Sequence, residues 1–129
     1  MPNPYKRNTG VKRVWKALFH SLDGFTAAFK YEDAFRLEVV LALILIPLAF
    51  SMHINAFAKA LMIASVLLVL IVELLNSAIE AITDRVSLEN HVLAKRAKDY
   101  GSAAVMISVI NVLVVWVLVL VGAGSLIPG

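Results

Sequence analysis

An acidic stripe interrupts an otherwise apolar stretch in the middle of the chain. The stripe consists of Glu73, Asn76, Ser77, Glu80 and Asp84. Because these residues are three or four positions apart, an α-helix places them all on one face. A single acidic residue at the centre of a membrane helix costs about 2.5–3.5 kcal/mol on insertion scales. The stripe therefore indicates a divalent-cation site or a proton path, with a polar network that only holds helices together as the alternative.

Further charged residues occur where two other apolar stretches begin. Glu32 and Asp33 precede the first stretch, and Lys98 and Asp99 precede the last. We expect all four at the same membrane level as Glu80. Phosphoryl transfer to a lipid hydroxyl requires acidic side chains that bind a metal ion, a positively charged side chain that binds phosphate, and one deeper carboxylate near the lipid. For Asp99, the alternative role is a cap at the start of the last helix.

The composition indicates what kind of fold carries these groups. Of 129 residues, 60% are hydrophobic and 16% are charged, against roughly 45–50% and about 25% in soluble domains. The sequence therefore predicts an all-α membrane protein, and at about 20 residues per crossing its length allows three or four spans. Cysteine is absent, which excludes disulfides, zinc–thiolate sites and thiol nucleophiles. No P-loop or G-x-G-x-x-G motif is present, which excludes the nucleotide-binding folds built on them.

The apolar periodicity predicts one integral-membrane domain over residues 1–129. We expect an N-terminal amphipathic surface helix in 1–30 and three transmembrane helices at about 34–53, 56–84 and 100–122. Apolar residues recur every third or fourth position from Val11 to Phe29, which is the period of an amphipathic helix. Gly24 predicts a bend between this helix and the first crossing. The basic stretch from Ser87 to Lys98 is predicted to be a loop.

The distribution of basic residues predicts the topology. Ten of the twelve Lys and Arg residues lie in the N-terminal segment and the second loop, and the first loop region offers only Lys59. By the positive-inside rule, the N-terminus and the second loop face the cytoplasm, and the C-terminus lies outside. The first 30 residues hold six basic residues and one acid. Beside apolar spans, this is typical of a segment that binds anionic lipid headgroups, and we expect no nucleic-acid partner.

The acidic stripe also resembles the signature of a known family. Residues 73–80 read ELLNSAIE and are followed by Asp84 and Arg85. This resembles the bacterial integral-membrane diacylglycerol kinases, whose pattern is E-x-x-N-[ST]-A-[IV]-E with an aspartate four residues on. The resemblance extends to residues 32–38, 87–91 and 97–104, and it covers the chain from about residue 12 to residue 121.

The resemblance implies an activity and an assembly. It implies a homotrimer of three-span subunits in the bacterial inner membrane, with a periplasmic C-terminus and with active sites shared between neighbouring subunits. It also implies transfer of the γ-phosphoryl group of ATP to the hydroxyl of diacylglycerol, with Mg²⁺ as cofactor and phosphatidate as product. The partners would be diacylglycerol, ATP and the surrounding membrane lipids.

Residue roles follow from the resemblance by matching position. Glu73 would be the catalytic carboxylate, with Asn76 positioning it. Glu32 and Glu80 would hold the metal ion. The positions that match nucleotide contacts are Arg13, His20, Glu32, Glu80, Glu89, Asn90, His91, Lys98 and Asp99. The positions that match the lipid site are Arg13, Ser21, Ala34, Phe35, Arg36, Leu37, Glu38, Glu73, Ser102 and Trp116.

Two other functions are compatible with the same residues. An undecaprenol kinase would use the same phosphoryl machinery on a different lipid alcohol, and the choice depends on the lipid groove. From another class, a non-enzymatic proton- or cation-conducting subunit would line its path with Glu73 and Glu80. A conducting path should carry ionisable groups across the whole bilayer, whereas the first and third spans carry none beyond their cytoplasmic half. This difference favours the kinase.

Overall fold

All regular secondary structure among the residues that the structure describes is α-helical. A computed structural model describes residues 10–86 and 91–123, and no β-strand occurs among them. The helices are α1 (Val11–Tyr31), α2 (Asp33–Ser51), α3 (Ala56–Val86) and α4 (His91–Ala123). α2, α3 and α4 are long and apolar enough to cross a membrane. For the described residues, the prediction of an all-α fold with three helices long and apolar enough to span a membrane is therefore confirmed.

A single non-helical residue, Glu32, separates α1 from α2. Its backbone is extended (φ −112°, ψ 107°), and its amide still donates to the carbonyl of Ala28 at 2.9 Å. Gly24 lies inside α1 without interrupting it, so the bend predicted there is wrong. A glycine inside a helix costs only about 1 kcal/mol relative to alanine, which a helix of 21 residues tolerates.

Arg36, in the first turn of α2, fixes the joint between α1 and α2. Its guanidinium donates to the carbonyls of Phe29 at 3.3 Å and Lys30 at 3.1 Å, in the last turn of α1. Those carbonyls have no partner within their own helix, and a cation there also favours the helix dipole. Arg36 pairs with Asp33 at the same time. The angle between the two helices is therefore set by side-chain hydrogen bonds.

The connection between α2 and α3 is short and is held by two side chains. Asn55 Oδ1 accepts a hydrogen bond from the amide of Ala58 at 2.8 Å, which is an N-cap for α3. Lys59 Nζ donates to the carbonyl of Phe50 at 2.9 Å, where the last turn of α2 has free carbonyls. Because only residues 52–55 link the helices, α3 turns back along α2 directly.

α4 begins earlier than the sequence analysis predicts. It starts at His91, nine residues before the expected crossing at residue 100. The loop predicted over Ser87–Lys98 is therefore wrong from His91 onward, and residues 87–90 lie outside the described residues. Asp99 lies in the interior of α4, so its alternative role as a helix cap is also wrong. Lysine, arginine and alanine are strong helix formers, which lets the helix extend beyond its apolar part.

α3 is the central helix and packs against both α2 and α4. The residues that α2 and α4 bury recur every seven positions, namely Phe35, Ala42 and Ala49 on α2, and Ala94, Gly101 and Ser108 on α4. All but the phenylalanine are small, which lets the helix backbones approach closely, as is common in membranes. Most large apolar side chains are exposed in the single chain, as expected for helices surrounded by lipid or by other subunits.

Three buried hydroxyl groups are satisfied within their own helices. Ser65 donates to the carbonyl of Met62 at 2.7 Å, Thr83 to that of Glu80 at 3.2 Å, and Ser108 to that of Val105 at 2.7 Å. Each hydroxyl donates to the carbonyl three residues earlier in its own helix, so no hydroxyl donor is left unsatisfied. These residues therefore contribute to packing between helices through their small size.

Candidate active site

The acidic stripe of α3 runs from a buried end to an exposed end. Glu73 and Asn76 are only 6% and 8% exposed. Glu80 is half-buried, and Asp84 at the end of the stripe is exposed. At 1.5 Å per residue, Glu73 lies about 10.5 Å deeper along the helix than Glu80. One carboxylate is therefore enclosed by helices while its neighbours on the stripe lie nearer to water.

α2 and the α1–α2 joint bring two further carboxylates to this stripe. The charge of Glu73 is repelled by Glu80 on its own helix and by Glu32 at the joint. The charge of Glu38, on α2, is repelled by Glu73. Glu38 Oε2 is buried and has no hydrogen-bond partner within residues 10–86 and 91–123. A cation bound among these groups would relieve the repulsion.

The donor set determines which metal ion could bind here. In the part of the chain that the structure describes, no group of three His, Cys, Asp or Glu residues is arranged to hold a metal ion by itself. Mg²⁺ commonly binds through one or two carboxylates and completes its shell with water and substrate phosphates. Glu32 and Glu80 therefore fit an ion that arrives with a phosphorylated ligand. They do not form a closed structural metal site.

Asn76 lies on the side of the stripe that faces α4, next to Gly101. Its Nδ2 donates to Glu80 Oε1 at 3.4 Å, one helical turn away. Its Oδ1 is buried and accepts no hydrogen bond from the described residues. The resemblance pairs Asn76 with Glu73, whereas the hydrogen bond in the structure orients Glu80. The positioning of Glu73 by Asn76 stays a prediction.

Two ion pairs lie at the end of α4 that adjoins the stripe. Lys98 pairs with Asp84 of α3, and Glu80 attracts the same ammonium group. Lys95 donates to Asp99 Oδ2 at 2.7 Å, one turn along α4. The side chains of Lys98 and Asp84 are 41% and 64% exposed, and ion pairs between such exposed groups contribute little to stability. An incoming phosphate can therefore take the place of Asp84 at Lys98.

Two clefts flank the carboxylates beside α1. One, of about 530 Å³, lies between α1 and α3 and includes Ser21, Glu32 and Ser77 in its lining. The other, of about 800 Å³, is lined by Phe25, Thr26, Phe29, Lys30, Phe35, Arg36, Val39 and Leu70. Both clefts are mostly apolar, and each also has polar or charged side chains in its lining.

The remaining residues named by the resemblance are spread over helix surfaces. Exposed positions are held by Arg13 and His20 on α1, Ala34 and Leu37 on α2, and His91 and Ser102 on α4. Glu89 and Asn90 lie outside the described residues. Trp116 is half-buried, and its Nε1 donates to the carbonyl of Met62 at 3.3 Å. That bond joins α4 to α3 well away from the acidic stripe.

Gly101 is a residue near the site that the sequence analysis missed. It is buried on α4 and faces the amide of Asn76. The spacing of seven between Ala94, Gly101 and Ser108 is a signal in the sequence that could have revealed it, because it places three small residues on one helix face and small residues allow membrane helices to approach closely.

Comparison with known proteins gives a consistent result along most of the chain. Residues 19–120 match the family described as prokaryotic diacylglycerol kinase. The chain is similar to the diacylglycerol kinase of Pseudomonas aeruginosa, with 54% identity over 121 residues, which is 94% of this chain and 98% of that protein. The diacylglycerol kinase of Haemophilus influenzae is 48% identical over 85% of this chain and 93% of its own length. That of Escherichia coli K12 is 46% identical over 87% and 92%.

Proposed function

Because this chain belongs to the prokaryotic diacylglycerol kinase family, we propose that it transfers the γ-phosphoryl group of ATP to the hydroxyl of diacylglycerol, giving phosphatidate. The observation that carries the proposal is a buried carboxylate, Glu73, on the same helix face as groups nearer to water. Such a site lets a membrane-embedded alcohol meet a water-soluble phosphate donor. The family assignment also favours an enzyme over a conducting subunit.

Glu73 is the group suited to act on the lipid hydroxyl. Its carboxylate accepts the hydroxyl proton as the oxygen attacks the γ-phosphorus, and ADP leaves with the electrons of the broken P–O bond. Its burial supports this role, because a general base that is shielded from water acts on the lipid and not on bulk solvent. Asn76 and Glu80 lie one and two turns nearer the exposed end, on the side from which the nucleotide would enter.

The groups nearer to water suit the nucleotide. Glu32 and Glu80 would hold Mg²⁺ against the phosphates, and the ion, when bound, would neutralise part of their negative charge. Lys98 would leave Asp84 and contact a phosphate oxygen. Arg13, His20, Glu89, Asn90, His91 and Asp99 complete the proposed nucleotide contacts.

The apolar cleft beside Arg36 suits the lipid. Phe25, Phe29 and Phe35 supply an apolar surface for an acyl chain, and the guanidinium of Arg36 lies at the same opening. The other proposed lipid contacts are Arg13, Ser21, Ala34, Leu37, Glu38, Ser102 and Trp116. The clefts of the single chain are open at one side, which supports completion of the site by a neighbouring subunit.

The proposed assembly is a homotrimer in the bacterial inner membrane. α1 would lie on the cytoplasmic surface of the membrane, with the N-terminus inside and the C-terminus in the periplasm. Two observations support this arrangement. The large apolar side chains of α1, such as Trp15 and Phe25, are exposed in the single chain, and the basic residues are concentrated beside that helix.

Transfer of labelled phosphate from ATP would test the proposed activity. Wild type, Glu73→Gln and the control Asp23→Asn are assayed with Mg²⁺ in mixed micelles that contain diacylglycerol or, separately, undecaprenol. We expect labelled phosphatidate from wild type and from Asp23→Asn, whose side chain is exposed on α1. Loss of a general base should lower the rate of Glu73→Gln by about 10²–10⁴-fold.

Each other outcome of this assay identifies a different error. Labelled undecaprenyl phosphate without phosphatidate would refute the proposed substrate and retain the phosphoryl chemistry. Equal rates for Glu73→Gln and wild type would refute the assignment of the base. No lipid product from wild type would refute the kinase activity itself.

A further inference from the structure

α4 approaches the acidic stripe closely at Gly101. A Cβ atom at this buried position would lie 3.1 Å from Asn76 Cγ and closer still to Asn76 Oδ1. The same atom would lie 3.7 Å from Asn76 Cβ, which is an ordinary van der Waals distance. The collision is therefore confined to the amide group. The spacing between the two helices accommodates a methyl group, whereas the present orientation of the Asn76 amide does not.

That orientation has a consequence for the stripe. Asn76 Nδ2 donates to Glu80 Oε1 at 3.4 Å, while Asn76 Oδ1 lies on the side of Gly101. A group that displaces Oδ1 must rotate the whole planar amide, because both atoms belong to it. The rotation would withdraw Nδ2 from Glu80. The absence of a side chain at residue 101 thus leaves room for the amide orientation in which Asn76 donates to Glu80.

We propose that Gly101 is a positioning residue for phosphoryl transfer, acting through the space that it leaves for the Asn76 amide beside Glu80. This inference rests on the proposed function, in which Glu80 holds the metal ion. Gly101 touches neither substrate, and its effect reaches the reaction through Asn76. Displacement of a reacting group by about 1 Å can lower a rate by about 10²-fold. An alanine at residue 101 should therefore slow the reaction, although alanine is the better helix former.

Two glycine-to-alanine variants in the same helix provide a matched comparison. Gly101→Ala introduces the collision, whereas a Cβ at Gly122 meets nothing within 4 Å. We expect Gly101→Ala to lower kcat by about 10- to 100-fold with a smaller change in the KM for diacylglycerol. Gly122→Ala should retain the kcat of wild type. Folding of every variant is checked by thermal unfolding in detergent.

The decisive comparison repeats Gly101→Ala in the Asn76→Ala background. Asn76→Ala removes the amide, so the added methyl group should cause no further loss of kcat or of thermal stability there. A wild-type kcat for Gly101→Ala, or the same fold loss in both backgrounds, would overturn the proposal. If Gly101→Ala does not fold, the test depends on whether the double variant, Gly101→Ala with Asn76→Ala, folds. A folded double variant supports a collision with Asn76, and an unfolded one assigns the effect to general packing of α4 and refutes the proposal.

Failure of the proposed function is recognised separately in this experiment. In that case wild type itself yields no labelled lipid product. The midpoint of thermal unfolding then still reports the contact, because Gly101→Ala should lower it only when Asn76 is present. A midpoint lowered equally in both backgrounds, or in neither, would contradict the collision itself.

Discussion

Met62 provides a quantitative test of packing in this fold, because it is the largest side chain with no exposed surface among the described residues. Met62→Ala removes three heavy atoms, a change that costs about 2–5 kcal/mol in the core of a soluble protein. About 0.8 kcal/mol per methylene-sized group, or about 2.4 kcal/mol in total, is transfer from water. That part is missing in a bilayer, since lipid tails are as apolar as the protein interior. Subtracting this part leaves at most about 2.6 kcal/mol, and we expect a loss of about 1–2.5 kcal/mol in the free energy of unfolding.

The free energy of unfolding is measured by reversible denaturation in mixed micelles at fixed protein and lipid concentration, since association changes the apparent stability. Met106→Ala is the matched control, because that side chain is 60% exposed on α4 and should lose at most about 0.5 kcal/mol. Losses that agree within about 0.5 kcal/mol for the two variants would refute the packing of Met62. A loss above about 4 kcal/mol would refute the argument that the transfer part is missing.

Two further predictions concern the contacts between α3 and α4. Trp116→Phe deletes the indole N–H that donates to the Met62 carbonyl, and that carbonyl keeps its other hydrogen bond, from the Ser65 hydroxyl at 2.7 Å. We expect the free energy of unfolding in mixed micelles to fall by about 0.6 kcal/mol. A loss above about 1.7 kcal/mol would contradict a single hydrogen bond between membrane helices. Lys98→Gln should raise the KM for ATP more than Lys95→Gln does, because Lys98 pairs with Asp84 of the stripe while Lys95 pairs within α4. Equal KM values for the two variants in steady-state kinetics would refute the role of Lys98.

The helices were predictable where one physical rule dominates, and not where several compete. The three spans follow from length and apolar content, which a bilayer enforces strictly. The start of α4 did not follow, because the charged residues between His91 and Lys98 end the apolar stretch without ending the helix. The break at Glu32 has no glycine or proline to mark it. It depends on the hydrogen bonds that Arg36 makes to the end of α1, which appear only in the folded chain.

The arrangement of the site was predictable along one helix but not between helices. Helical spacing places Glu73, Asn76 and Glu80 on one face, and the structure has them on one side of α3 with the deeper two buried. The pairing of Lys98 with Asp84 depends on the axial register of α3 against α4. The contact of Gly101 with Asn76 depends on the same register and on the distance between the helix axes. Neither quantity can be derived from local spacing.

Because only Glu32 separates α1 from α2, a small change in the angle at this joint moves the far end of α1 by several ångströms. The 21 residues of α1 give it a length of about 31 Å, so a tilt of about 10° at the joint would move its far end by about 5 Å. Arg36 holds the near end through the carbonyls of Phe29 and Lys30. With α1 on the membrane surface as proposed, a change in the height of the lipid headgroups would move the far end of α1, near Val11, more than the end held by Arg36, and the carboxylates beside the joint would keep their depth in the membrane.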